Sequence, residues 1–175
     1  MTTTPDLPPS GTYEIDPARS TITFDTRHMF GLGGVTGTFT VHDGSITVPP
    51  ATEAAAPLAV GVRVDAASFD TGTPRRDKHV KSKDFLEVEA HPLIEFAASA
   101  TVGDFDGDAV TGSLRVIGNE RPVTVAVQQF AATGDGVRVV GTTTINRYDF
   151  GVTKMKGMAG RDLEMTIDLV AHRTE

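Results

Sequence analysis

The stretch Thr21-Ile22-Thr23-Phe24-Asp25-Thr26-Arg27-His28-Met29-Phe30 decides the fold. Ile22, Phe24, Thr26, His28 and Phe30 fall on one phase, and Thr21, Thr23, Asp25 and Arg27 fall on the other. A period of two sends successive side chains to opposite faces, which is the pattern of an antiparallel strand with one buried face. The same pattern recurs in Val35, Gly37, Phe39 and Val41, in Ile46 and Val48, and in Leu58, Val60, Val62, Val64 and Ala66. It continues through Ile94, Phe96 and Ala98, then Val110, Gly112, Leu114 and Val116, then Val123, Val125 and Val127. Val137, Val139, Gly141, Thr143 and Ile145 precede the last run, Leu163, Met165, Ile167, Leu169 and Ala171.

Between these runs lie Asp43-Gly44, Asp106-Gly107, Gly118-Asn119 and Asp135-Gly136. Such pairs favour the positive φ of tight hairpins, so up-and-down neighbours are the expected topology. About eight strands joined in this way make a sandwich or a barrel. Closure removes the edge strands and leaves room inside for one small ligand, so the expected fold is all-β, an antiparallel eight-stranded β-barrel. The Thr- and Pro-rich residues 1–10 are expected to form a flexible N-terminal tail, and residues 11–175 a single barrel domain.

One segment breaks the period. Thr73-Pro74-Arg75-Arg76-Asp77-Lys78-His79-Val80-Lys81-Ser82 reads as a short helix, with Thr73 as N-cap and Pro74 in the first turn. Ser82 to Val88 adds a second turn, with Phe85 and Val88 on one side, and Pro92 restarts extended chain. A helical insert of this kind covers an open barrel end.

Composition narrows the function classes. The 175 residues include no Cys, which removes disulfides, thiolate metal sites and a Cys nucleophile. The formal charge of −7 disfavours nucleic acid as a partner. No apolar stretch approaches the ~20 residues of a membrane span, and the first twenty residues lack a basic segment followed by an apolar one. A cytoplasmic location is therefore expected.

The inward phase carries the functional reading. With 9 Phe, 2 Tyr and no Trp, the wall is mostly Val, Ala, Gly and Thr, a slender set for a barrel of this size. Two outcomes stand side by side: Leu, Met and Phe pack the centre solid, or it is hollow and takes an apolar guest. The candidate lining residues are Ile22, Phe24, Phe39, Val60, Val62 and Val64 in the first half. Phe85, Ile94, Phe96, Leu114, Val125, Val127, Ile145, Met165 and Ile167 complete the set. Strands of about nine residues rise ~3.3 Å each, a length that suits an extended hydrocarbon chain. About forty carbons at ~0.3 kcal/mol per atom would supply ~12 kcal/mol, which is nanomolar affinity.

His28 shares the phase of Ile22 and Phe24, so its imidazole can either hydrogen-bond a ligand's carbonyl or alcohol or sit satisfied in the core. Arg76, His79 and Lys81 are the candidate head-group or mouth residues, within a basic cluster that otherwise reads as a solvated helix. The cluster also suits transient contact with an anionic membrane surface. Enzyme signatures are sparse: there is no Gly-x-Ser-x-Gly elbow, no phosphate loop and no His-x-x-x-His spacing. The five His residues lie in separate segments, so no metal or cofactor is expected. A barrel isomerase or cyclase using His28 is the alternative.

Several motifs carry a resemblance. Tyr13-x-Ile15-Asp16, Ser20-x-Ile22-x-Phe24-x-x-x-His28 and Val35-x-Gly37-x-Phe39 open the chain. Arg76-Asp77-x-His79-x-Lys81-Ser82-x-Asp84-Phe85, Pro92-x-Ile94-x-Phe96 and Arg147-x-Asp149-Phe150-Gly151 follow in order. Together, over roughly residues 12 to 172, they resemble the YceI-like family. The resemblance implies a lipocalin-like barrel that binds a long polyisoprenoid, an isoprenoid quinone or polyprenyl lipid, in a central channel. It also implies a homodimer and no catalysis. The Gly-x-Trp opening of true lipocalins is replaced by Gly11-Thr12-Tyr13, so that likeness is one of fold only.

Overall fold

The computed structural model describes residues 7–27, 34–50, 52–53, 55–101, 104–156 and 160–174. Among them, nine strands form one sheet: β1 (Gly11–Ile15), β2 (Thr21–Arg27), β3 (Gly34–Val48), β4 (Pro57–Asp70), β5 (Leu93–Thr101), β6 (Ala109–Val116), β7 (Asn119–Ala132), β8 (Gly136–Asn146) and β9 (Asp162–Arg173). One helix, α1 (Pro74–Lys81), lies between β4 and β5, and a 3₁₀ turn, Arg147–Phe150, follows β8. Every pairing is antiparallel, and β3 with β4 closes the ring. No helix among the described residues is long and apolar enough to cross a membrane.

Nine strands make eight staves. β2 pairs with residues 34–39 of β3 and 164–168 of β9, whereas β1 pairs with 45–48 and 171–173 of the same two strands. β1 and β2 therefore lie end to end in one position of the barrel. At the jog between them, buried Ser20 accepts from the Val170 N–H at 3.0 Å, which keeps β9 satisfied where the stave is interrupted.

The Asp43-Gly44 pair is not a hairpin. β3 runs through it, and the register with β4 shifts between Val41 and Asp43. One extra residue there flips the inward parity from Val35, Gly37, Phe39 and Val41 to Ile46 and Val48, which is the effect of a β-bulge. The two-residue turn between β6 and β7 is Ile117-Gly118, both at positive φ, one step earlier than the expected Gly118-Asn119.

α1 begins at Pro74 as expected, but Thr73 makes no side-chain cap. Asp77 does the fastening. Its buried carboxylate accepts from the Thr71 N–H at 3.0 Å and the Thr71 hydroxyl at 2.6 Å, tying the helix to the end of β4. Asp77→Ala leaves that half-buried N–H without its acceptor and should cost about 1–2 kcal/mol. Amide exchange across residues 71–81 should speed up; unchanged exchange would show that the tie does not hold the helix.

The two barrel ends differ. At one end, β4 leads into α1 and β8 leads into the 3₁₀ turn and residues 151–156. At the other, Tyr13, Ile15, Ile46, Val48, Val137 and Ala171 are each at most 2% exposed and fill the section. The Tyr13 hydroxyl donates to the Pro9 carbonyl at 2.6 Å, and Leu7 packs against this core, while residues 1–6 lie outside the described set.

Candidate functional site

Within the barrel lies a cavity of about 830 Å³, near the upper end of the ~300–1,000 Å³ typical of small-molecule sites. The barrel is thus hollow over the half that faces α1. Slender residues cause this: Val62 and Val64 on β4, Val125 on β7 and Gly141 on β8 border it where larger side chains would have filled the space.

Ile22, Phe24 and Phe39 line it from β2 and β3, and Val60, Val62 and Val64 from β4. Ile94, Phe96, Leu114, Val125 and Val127 continue the wall through β5 to β7, and Ile145, Met165 and Ile167 close it on β8 and β9. Phe85, from the segment after α1, lies over it. His28 lies outside the described residues.

Arg76 and His79 also border the cavity, with Arg75 and Val80. Lys81 does not. Positions 75, 76, 79 and 80 share one face of a helix, and position 81 is turned off it. Arg76 donates from Nε to Thr71 Oγ1 at 2.9 Å and from Nη2 to Thr73 Oγ1 at 3.0 Å. His79 Nε2 lies 3.3 Å from Asp84 Oδ2, and its ring meets Phe85 edge-on at 5.1 Å.

Several lining residues escaped sequence reading. Phe69 stacks on Phe24 at 5.3 Å and meets Phe39 edge-on at 5.5 Å, so three rings form one side of the wall. Its inward position comes from a second irregularity: Thr40 pairs with Asp65 but Thr38 with Asp70, so the extra β4 residues change the parity. Ser68 stitches this bulge, accepting from the Thr40 N–H and donating to the Asp65 carbonyl.

Arg147 is the other surprise. Only 8% exposed, it borders the cavity and donates to the carbonyls of Gly160 and Val152, both at 2.7 Å. Its guanidinium lies 4.8 Å from the Tyr148 ring centre and 5.6 Å from that of Phe85. Burial pulls its pKa below the ordinary arginine value. Met155, 43% exposed, borders the same rim.

The described wall contains no carboxylate, and its ionisable groups are Arg75, Arg76, His79 and Arg147, all from α1 and the 3₁₀ turn. No group of three or more metal-binding side chains occurs among the described residues. The arrangement can hold an apolar chain and meet a polar group at its rim. Among the described residues the wall presents no carboxylate beside its guanidinium and imidazole groups.

Comparison with known proteins adds the following. Residues 13–171 match the family described as the YceI-like domain. The chain is 32% identical over 154 residues to a UPF0312 protein of Ectopseudomonas mendocina, covering 85% of this chain and 79% of that one. It is 30% identical over 164 residues to a UPF0312 protein of Vibrio cholerae, covering 89% and 85%. Among solved structures, Burkholderia cenocepacia BcnA is 25% identical with a TM-score of 0.71, covering 89% of this chain and 98% of that one. A polyisoprenoid binding domain from Saccharophagus degradans shares the fold at a TM-score of 0.70 and 14% identity, covering 93% and 98%.

Proposed function

Because this chain belongs to the YceI-like family, we propose that it binds one long isoprenoid chain, of polyprenyl or isoprenoid-quinone type, in its barrel and sequesters or carries it. The observation that carries this reading is the 830 Å³ cavity, walled by Val, Ile, Leu, Phe and Met along its depth, with cationic groups at its rim. Removing an extended hydrocarbon from water into such a wall is favourable by ~0.8 kcal/mol per buried CH₂, and the wall reads only apolarity and length. The Saccharophagus degradans protein of the same fold is described as polyisoprenoid-binding, which agrees with this reading. The residues proposed to contact the chain are those inward positions of β2 to β9 that border the cavity.

Catalysis is not part of the proposal. An isomerase or cyclase would need an acid–base pair facing the substrate, and the described wall offers guanidinium groups and one imidazole at the rim.

Protein purified without detergent should release a prenyl lipid on extraction with organic solvent, identified by mass spectrometry. Emptied protein should take up an added prenyl alcohol with about one-to-one stoichiometry. Finding no lipid and no uptake would overturn the reading.

A further inference from the structure

We propose that Phe130, backed by Phe105, is the stop that fixes how long a chain the barrel encloses, with a ceiling of about six isoprene units. This rests on the reading of the cavity as an isoprenoid site and adds the size of the chain it takes. On β7, the inward residues Val123, Val125 and Val127 border the cavity, and Phe130 is the first that does not. Phe130 pairs with Val139, which still borders it, and the next inward residue of β8 is Val137, 0% exposed in the plug. The ring packs against the buried core, at the level where open bore gives way to filled section.

Two features put it there. The register offset between Val127 and Gln129 adds one residue, so a phenyl ring takes the inward phase that counting by twos gives to the Gln129 amide. The floor is therefore apolar, as the tail of a hydrocarbon requires. The second feature is the connection from β5 to β6. β6 pairs with residues 95–98 of β5, whereas β5 runs on to Thr101. The Asp104 and Phe105 N–H groups both donate to the Thr101 carbonyl at 3.0 Å, and the Val127 N–H donates to the Asp108 carbonyl at 2.7 Å. Stitched at both ends, this connection holds Phe105, 6% exposed, edge-on to Phe130 at 6.4 Å between ring centres. Edge-on ring pairs hold one another more firmly than their buried area alone would.

The dimensions give the ceiling. On β9 the cavity runs from Leu163 to Leu169, which at ~3.3 Å per residue and a strand tilt of ~35–45° is about 15 Å along the barrel axis. An extended chain advances ~1.2 Å per bond, so about three isoprene units reach straight from mouth to floor. The volume holds more. Taking each carbon with its hydrogens as about the ~30 Å³ of one liquid water, 830 Å³ accepts about 28 carbons, between five and six units. The chain therefore fills the bore by bending, and it is shorter than the about forty carbons expected from the sequence. Units beyond the ceiling stay outside the wall and add no burial.

Prenyl alcohols of about two to eight units, displacing a fluorescent prenyl analogue from the emptied protein, would give the length profile. Affinity should rise about tenfold per unit and level off at about six. The ratio of seven-unit to six-unit affinity, about one in the parent protein, should rise about tenfold in Phe130→Ala, where the lost ring leaves room for roughly one more unit. Phe130→Leu and Phe105→Leu should raise it several-fold, and they carry the test if the alanine variant does not fold. Gln129→Ala, at an exposed position of the same strand, should leave the profile where it is. A ratio unmoved in the floor variants while their melting temperatures fall would overturn the stop, leaving the rings as packing alone; equal losses at every length would do the same. A parent profile that climbs through eight units would overturn the ceiling and leave the isoprenoid reading standing. Binding at no length would overturn that reading itself.

Discussion

Val62→Phe should weaken binding of the longest prenyl chains about 30-fold while leaving short ones nearly unchanged. Val62 borders the cavity on β4, opposite Gly44 on one neighbouring strand and Phe96 on the other. A phenyl group there projects into open space instead of into packed atoms, so it excludes ligand with little strain on the barrel. Displacing two to three methylenes from the deep end forfeits about 2 kcal/mol at ~0.8 kcal/mol each. Val125→Phe, which borders the same cavity from β7, should act in the same way. The measurement is a series of dissociation constants for prenyl alcohols of increasing length, with melting temperature as the folding control. Losses equal at every length would mean that neither side chain meets the ligand along its length.

Gly136→Ala should be the most damaging single methyl in the molecule. Gly136 opens β8 opposite His172, and a Cβ built there would fall far inside contact with the Ala171 carbonyl oxygen. It would also lie 2.8 Å from the Ala171 carbonyl carbon and the His172 Cα. These are backbone atoms of the paired strand, so no side chain can swing aside. β8 and β9 must separate where Val137 and Ala171, 0% and 1% exposed, pack the closed end. The expected loss is about 3 kcal/mol, and the melting temperature should fall by roughly 10 °C in a chain of this size. Gly61→Ala, where nothing lies within 4 Å of the added carbon, is the control and should be neutral or slightly stabilising. Similar unfolding of the two variants would show that the strand contact at Gly136 yields.

The staves and their inward faces were legible in the sequence because period-two alternation is a local property. Ile22 and Phe24 on β2, or Met165 and Ile167 on β9, keep one parity along the whole strand, and all four border the cavity. What was not legible lies where the parity changes. The single-residue offset between Val41 and Ile46 has two local explanations, a turn or a bulge, and the Asp43-Gly44 pair favours the turn. Only pairing with β4 on one side and β1 on the other keeps the strand straight through it. Phe69 was hidden for the same reason, since counting by twos from Val64 passes through Ala66 to Ser68. Phe130 follows a third offset, between Val127 and Gln129. The contribution of Arg147, Val152 and Met155 depends on how a connection folds back over the barrel mouth, which no local pattern encodes. The rim face of α1 was half legible: helical spacing places His79 beside Arg76, and the same spacing turns Lys81 away.

The plug of Tyr13, Ile15, Ile46, Val48, Val137 and Ala171 makes the barrel a cul-de-sac. On the proposed lipid-binding reading, a ligand would enter tail first and leave head first on the side that carries α1, and any recipient would have to approach there. Release would then be a progressive withdrawal, each added isoprene unit lengthening the time such a ligand stays bound. Hand-over speed, not merely affinity, would therefore be graded by tail length.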